Sequence, residues 1–161
     1  FTKLQGKFIY CINLQEFAFQ LSSLIKKQDW KRVFCLEDKL IASASSQLAD
    51  RLVKTDLSNC DVSITGCEYL VARTGSIVMS AAQSSGRSAS VYAPIHICIA
   101  YTSQIVYDIK DALQSVKEKY GNNTPSLITF ATGPSRTADI EKTLVVGVHG
   151  PKEVYLFLVE E

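Results

Sequence analysis

The 161-residue chain predicts an α/β fold: one domain with a mostly parallel sheet. Three observations carry this expectation. Apolar runs of strand length alternate with stretches whose apolar residues recur at helical spacing. Two of the runs, Leu127 to Ala131 and Val154 to Val159, are continuous, as in strands covered on both faces. Hydrophobic residues at 47% and charged residues at 20% match a core-forming chain, and a domain of this length buries roughly 70% of its unfolded surface.

The elements follow in order. Lys7 to Cys11 is a short β-rich run, and Asn13 then offers a helix cap ahead of Leu14, Phe17, Ala18, Leu21, Leu24 and Ile25. Lys26 and Lys27 suit the end of that helix, where cations complement the dipole. Val33 to Leu36 reads as the next strand, and Trp30 before it as a packing residue at the surface edge. Ile41 to Leu57 reads as a weaker helix with Leu48, Leu52 and Val53 on its inner stripe. Asp61 to Thr65 and Ser76 to Ser80 read as strands, and Ala81 to Ala89 as a loop or hairpin tip. Ile95 to Tyr101 is a strong strand. Ile109, Ala112, Leu113, Val116 and Tyr120 mark one face of a helix from about Val106, ended by Gly121.

Composition excludes several classes. The net charge of +1 comes with scattered Lys and Arg and no basic stripe, so nucleic acid is not an expected partner. No apolar run approaches the ~20 residues of a membrane span, and no signal peptide is visible, so the expected compartment is the cytoplasm. The chain opens on Phe1 rather than Met, which leaves room for a preceding segment. Cys11, Cys35, Cys60, Cys67 and Cys98 are odd in number and lack C-x-x-C spacing, which argues against disulfides, zinc or an iron–sulfur cluster on this chain. They read as inert thiols, with Cys60 and Cys67 close enough in sequence to be neighbours.

The chemistry concentrates between Thr132 and Pro151. Gly133, Gly147 and Gly150 allow backbone shapes closed to other residues, and Pro134 and Pro151 fix their own φ. Among them stand Ser135, Arg136, Thr137, Asp139, Glu141 and His149. Ser135, Arg136 and Thr137 read as an oxyanion site at a turn entering a helix, with Arg136 as a two-point clamp; a capped helix start with an internal ion pair is the alternative. Asp139 and Glu141 share a face only on a strand, and otherwise serve as loop-fixing charges. His149 is a candidate general acid/base or a turn-holding imidazole. His96, between Ile95 and Ile97, reads as structural. Thr74, Gly75 and Ser76 form a second polar turn beside Arg73, and Arg87 is a further candidate anion ligand. The two turns are expected to wall one pocket beyond the carboxyl ends of the strands.

The wording of these segments resembles a known family. Gly133 to Glu141, followed by Gly147 to Pro151, is similar to the C-terminal signature of the LUD domain (DUF162), of the lactate utilisation protein C type. Ala72 to Val78, Arg87, Pro94 to Ile97 and Gln104 to Val106 continue the likeness over about residues 60 to 161, with Arg73 where the family usually carries an acidic residue. The resemblance implies a three-layer α/β/α fold with a mostly parallel sheet, grouped with glucosamine-phosphate deaminase, ribose-phosphate isomerase and CoA transferases. It implies a role in oxidising L-lactate to pyruvate, with a small carboxylate as ligand. The iron–sulfur clusters would then reside on partner proteins of the A and B type. Two alternatives stay open: a self-sufficient phosphosugar or CoA-type enzyme on the same fold, and an assembly subunit without catalysis. A homo-oligomer is compatible with each.

Overall fold

The computed structural model describes residues 1–138 and 144–161. The chain runs β1 (Lys7–Cys11), α1 (Leu14–Lys27), β2 (Val33–Cys35), α2 (Ser45–Leu48), β3 (Leu52–Val53), β4 (Val62–Thr65), β5 (Tyr69–Val71) and β6 (Ser76–Ser80). It continues with α3 (Ala89–Tyr92), β7 (Ile95–Tyr101), β8 (Ile105–Val106), α4 (Ile109–Tyr120), β9 (Ile128–Ala131), β10 (Arg136–Ala138), β11 (Leu144–Val146) and β12 (Glu153–Val159). A six-stranded sheet has the order β1-β12-β7-β4-β2-β3, and every neighbouring pair in it is parallel. The expected α/β class with a mostly parallel sheet is therefore what the chain adopts.

One face of that sheet packs against α1. Its Asn13 cap accepts from the Glu16 N–H at 2.8 Å, and the buried stripe of Phe17, Ala18, Leu21 and Ile25 meets Ile97, Ile99, Tyr155 and Phe157. The Phe17 and Phe157 rings stand edge to face, 5.7 Å apart. Burying a side chain of this size contributes about 2–3 kcal/mol, so this face is the main core. Trp30 belongs to it, edge to face with Tyr155 at 5.9 Å, rather than to the surface edge that its charged neighbours suggested.

The other face differs from the expected helix layer. A second sheet, β8-β5-β6-β9, packs on it through Leu70, Ile77 and Met79 against Cys98, Ala100, Val154, Leu156 and Leu158. Helix α4 covers the far side of this second sheet, where Ala112 meets Val71 and Val78. Strand β9 is thus only half-buried and antiparallel to β6, although its apolar run read as a doubly covered strand. The stretch from Ile41 to Leu57 gives one helical turn, α2, and then the short edge strand β3. Helical spacing there overstated a segment whose Leu52 and Val53 find better partners in Val33 and Phe34. No described helix is long and apolar enough to cross a membrane.

Candidate functional site

The segment after β9 does not enter a helix. Residues Arg136 to Ala138 form β10, which pairs antiparallel with β11 as a hairpin. The hairpin is pinned at its base by backbone bonds, Ser135 N–H to the Pro151 carbonyl at 2.9 Å and Gly147 N–H to the Ser135 carbonyl at 3.0 Å. Two glycines permit this crowding. A Cβ on Gly133, whose φ is +154°, would lie 2.6 Å from the Leu4 carbonyl oxygen, and one on Gly150 would lie 2.8 Å from the Ser135 Cβ.

The crowded backbone frames a cavity of about 360 Å³. Ser135, Arg136 and His149 stand at its mouth, Thr129 and Thr132 along β9 and its end, and Met79, Phe130 and Val154 form apolar wall. His96, only 1% exposed, is its buried imidazole. His96 and Val154 are the second residues of β7 and β12, so the cavity lies at the amino ends of these parallel strands. The carboxyl-end rule pointed to the opposite edge, because β9, whose carboxyl end the motif follows, belongs to the second sheet.

The remaining candidate residues divide. The two polar turns are neighbours, since Ser76 Oγ lies 3.0 Å from Thr132 Oγ1 and 2.8 Å from Thr74 Oγ1. Gly75 and Ser76 nevertheless line a different, apolar cavity of about 180 Å³, together with Phe1, Phe8, Leu70 and Leu156. Arg87 donates to Ser126 Oγ at 2.6 Å and does not line the main cavity. Arg73 holds Asp108 through two nitrogens, at 2.8 and 2.9 Å, and so fixes the start of α4 rather than a ligand. The Arg73 hydrogen bonds hold the Asp108 carboxyl below the usual carboxylate range. Thr137 lies on β10, and Asp139 and Glu141 fall outside the described residues.

Sequence reasoning assigned His96 to structure and missed its place in the cavity. The signal was the alternation along β7, which puts His96 on the face of Cys98 and Ala100, away from the α1 core. Burial lowers the His96 pKa from its ordinary 6.5 to about 4, so the ring is neutral at physiological pH. Its Nε2 lies 2.8 Å from Thr65 Oγ1. The cysteines offer no comparable chemistry. Burial pushes the Cys35 thiol up to about 11, and a hydrogen bond with Cys67, together with burial, raises that of Cys98. Cys60 packs with Phe34 and Ala89, not beside Cys67. Among the described residues no three metal-binding side chains converge.

Comparison with known proteins places this geometry. The model of the LUD domain family matches residues 3–159. Lactate utilization protein C of Bacillus licheniformis is 38% identical over 103 residues, covering 63% of this chain and 43% of that protein. The protein of the same name from Halalkalibacterium halodurans is 36% identical over 114 residues, covering 70% of this chain and 49% of that one. The chain thus aligns with a little under half the length of these relatives. A crystal structure of a DUF162 family protein from Deinococcus radiodurans shares the fold, with a TM-score of 0.72 over 97% of this chain and 89% of that one, at 18% identity.

Proposed function

This chain belongs to the LUD domain family, and from that premise we propose that it serves lactate utilisation by binding a small carboxylate in the cavity at the amino ends of β7 and β12. The observation that carries the reading is the composition of that cavity. A guanidinium, Arg136, and the Ser135 hydroxyl stand at a mouth whose backbone is pinned by the hairpin base, while the walls are apolar. A small organic anion matches this pattern: its carboxylate meets the fork of Arg136, and its short carbon chain meets Met79, Phe130 and Val154. Lactate and pyruvate have that form.

The electron chemistry of lactate oxidation is assigned, in this reading, to iron–sulfur partner proteins of the A and B type. The five thiols of this chain are buried in three separate packing clusters, which does not suit them to hold a cluster themselves. The protein then acts in the cytoplasm as the ligand-binding subunit. A pure assembly role is the competing reading, favoured by the exposed Val145, Val146 and Val148 on and beside the hairpin.

Arg136 separates the two. Calorimetric titration with L-lactate, pyruvate and inorganic phosphate is expected to show binding of the two carboxylates. Arg136→Ala is expected to weaken it by ~10–100-fold, since hydrogen bonds to charged groups contribute about 1.5–3 kcal/mol. Arg136→Lys is expected to restore little, because an ammonium lacks the planar fork. Undiminished binding by a folded Arg136→Ala variant, with lactate-dependent growth intact, returns the assignment to assembly.

A further inference from the structure

The cavity holds a buried acceptor whose chemistry the anion-binding reading does not use. His96 Nε2 and Thr65 Oγ1 are 2.8 Å apart, and the Thr65 hydroxyl donates its one hydrogen to the Gly66 carbonyl at 2.9 Å. The oxygen of Thr65 therefore accepts from His96, which places the imidazole hydrogen on Nε2 and leaves a bare lone pair on Nδ1. A histidine that serves only the core has both nitrogens satisfied. Here, among the described residues, Nδ1 has no partner. Directly opposite in the β4–β7 register stands Ser63, whose Oγ is buried and likewise has no partner among the described residues. The His96 ring lines the cavity, and Ser63 stands beside it on the neighbouring strand.

We propose that His96 reads the ligand's hydroxyl: its Nδ1 accepts a hydrogen bond from a 2-hydroxy acid whose carboxylate is held at the mouth by Arg136. This rests on the carboxylate-binding reading above and narrows its substrate class. A neutral, acceptor-only nitrogen favours a ligand that carries O–H at the carbon beside the carboxylate. A 2-oxo acid offers only another acceptor at that position, and an unsubstituted acid offers nothing. The residue is a specificity determinant for binding.

The test uses L-lactate, pyruvate and propionate, which share a carboxylate and a three-carbon chain and differ at one position. Calorimetry on the wild-type protein is expected to give L-lactate about five- to tenfold tighter binding than propionate, the ratio that one neutral hydrogen bond supplies, with pyruvate grouping with propionate. His96→Phe is expected to bring the ratio of L-lactate to propionate affinity down to about one. A second readout needs no variant: ¹⁵N NMR of the wild type should show His96 as the Nε2–H tautomer, with an Nδ1 resonance that moves on adding L-lactate and stays put with propionate. Equal affinity of the wild type for L-lactate and propionate, an unmoved Nδ1, or a preference that survives in His96→Phe overturns the proposal and leaves the Arg136 reading standing. Absence of binding by all three acids overturns both.

Discussion

Two polar clusters are buried against the second sheet, and their hydrogen bonding differs. Around Glu68, Oε1 accepts from Ser80 Oγ and from the Tyr120 hydroxyl at 2.7 Å, and Oε2 accepts from Lys119 Nζ at 2.8 Å. This cluster is closed, and it joins α4 to the second sheet. Around His96, Thr65 is satisfied, but Nδ1 and Ser63 Oγ are not paired by any described residue. That cluster borders a cavity. Burying a polar group without a partner costs about 1–3 kcal/mol, so an open cluster is held where something besides stability is at stake. The contrast separates architecture from site more sharply than residue type does, since both clusters contain a titratable side chain and a serine.

The largest expected effect falls on the closed cluster. Glu68→Ala leaves Ser80, Tyr120 and the half-exposed Lys119 without their common acceptor and should cost about 3 kcal/mol in urea denaturation, the upper end for lost hydrogen bonds to a charged group. The pH dependence has a definite sign. Burial alone raises the Glu68 carboxyl, and the bonds from Lys119, Ser80 and Tyr120 outweigh it, so its folded pKa lies below the ordinary value. Its contribution is therefore full above the unfolded pKa of ~4.3 and disappears as pH falls through the folded value. Glu68→Gln should flatten that acid slope. A wild-type slope surviving in Glu68→Gln would show that the cluster is not the joint described here.

The open cluster should reveal itself at milder pH. His96 has a folded pKa of about 4 against 6.5 unfolded, lowered by burial, so between those values the unfolded chain binds the extra proton. Stability is then full above pH ~6.5 and falls by about 3 kcal/mol on the way down to pH 4. In His96→Phe the loss across this window should vanish, leaving only the carboxylate contribution below it. Melting temperatures recorded from pH 7 to pH 4 for the two proteins measure the difference. Parallel curves would mean that His96 is not the buried neutral ring on which the comparison depends.

Why one cluster was legible in sequence and the other was not follows from how each is assembled. The parallel sheet, α1 and α4 were readable because their apolar residues recur at the period of the element itself; Phe17, Leu21 and Ile25 need no distant information to be placed. The mouth of the cavity was readable in part, because Gly133, Ser135, Arg136 and His149 fall in one short segment. Its depth was not. His96 acquires its role from Thr65 on β4 and from the cavity edge supplied by β9, contacts made only when two sheets stack. Glu68 was invisible for the same reason, since its partners lie 12, 51 and 52 residues away. The second sheet itself escaped because β5 and β8 are three and two residues long, too short for any periodicity to register.

The smallest effect tests the comparison most directly, through the two serines. Ser80 donates to Glu68, so Ser80→Ala deletes one donor from a charged acceptor and should cost about 1–2 kcal/mol. Ser63 is fully buried, and its hydroxyl has no partner among the described residues, so Ser63→Ala removes an unmet polar atom rather than a bond. The alanine side chain fills nearly the same volume. Stability should therefore stay unchanged or rise by up to about 1 kcal/mol. Both serines are buried on strands, Ser63 in the parallel sheet and Ser80 in the second sheet, which holds propensity and burial nearly constant between them. A Ser63→Ala protein that loses as much as Ser80→Ala would mean that its hydroxyl is paired after all. The two clusters would then be alike, and the distinction between a closed joint and an open site would fail at the position where it is most exposed to test.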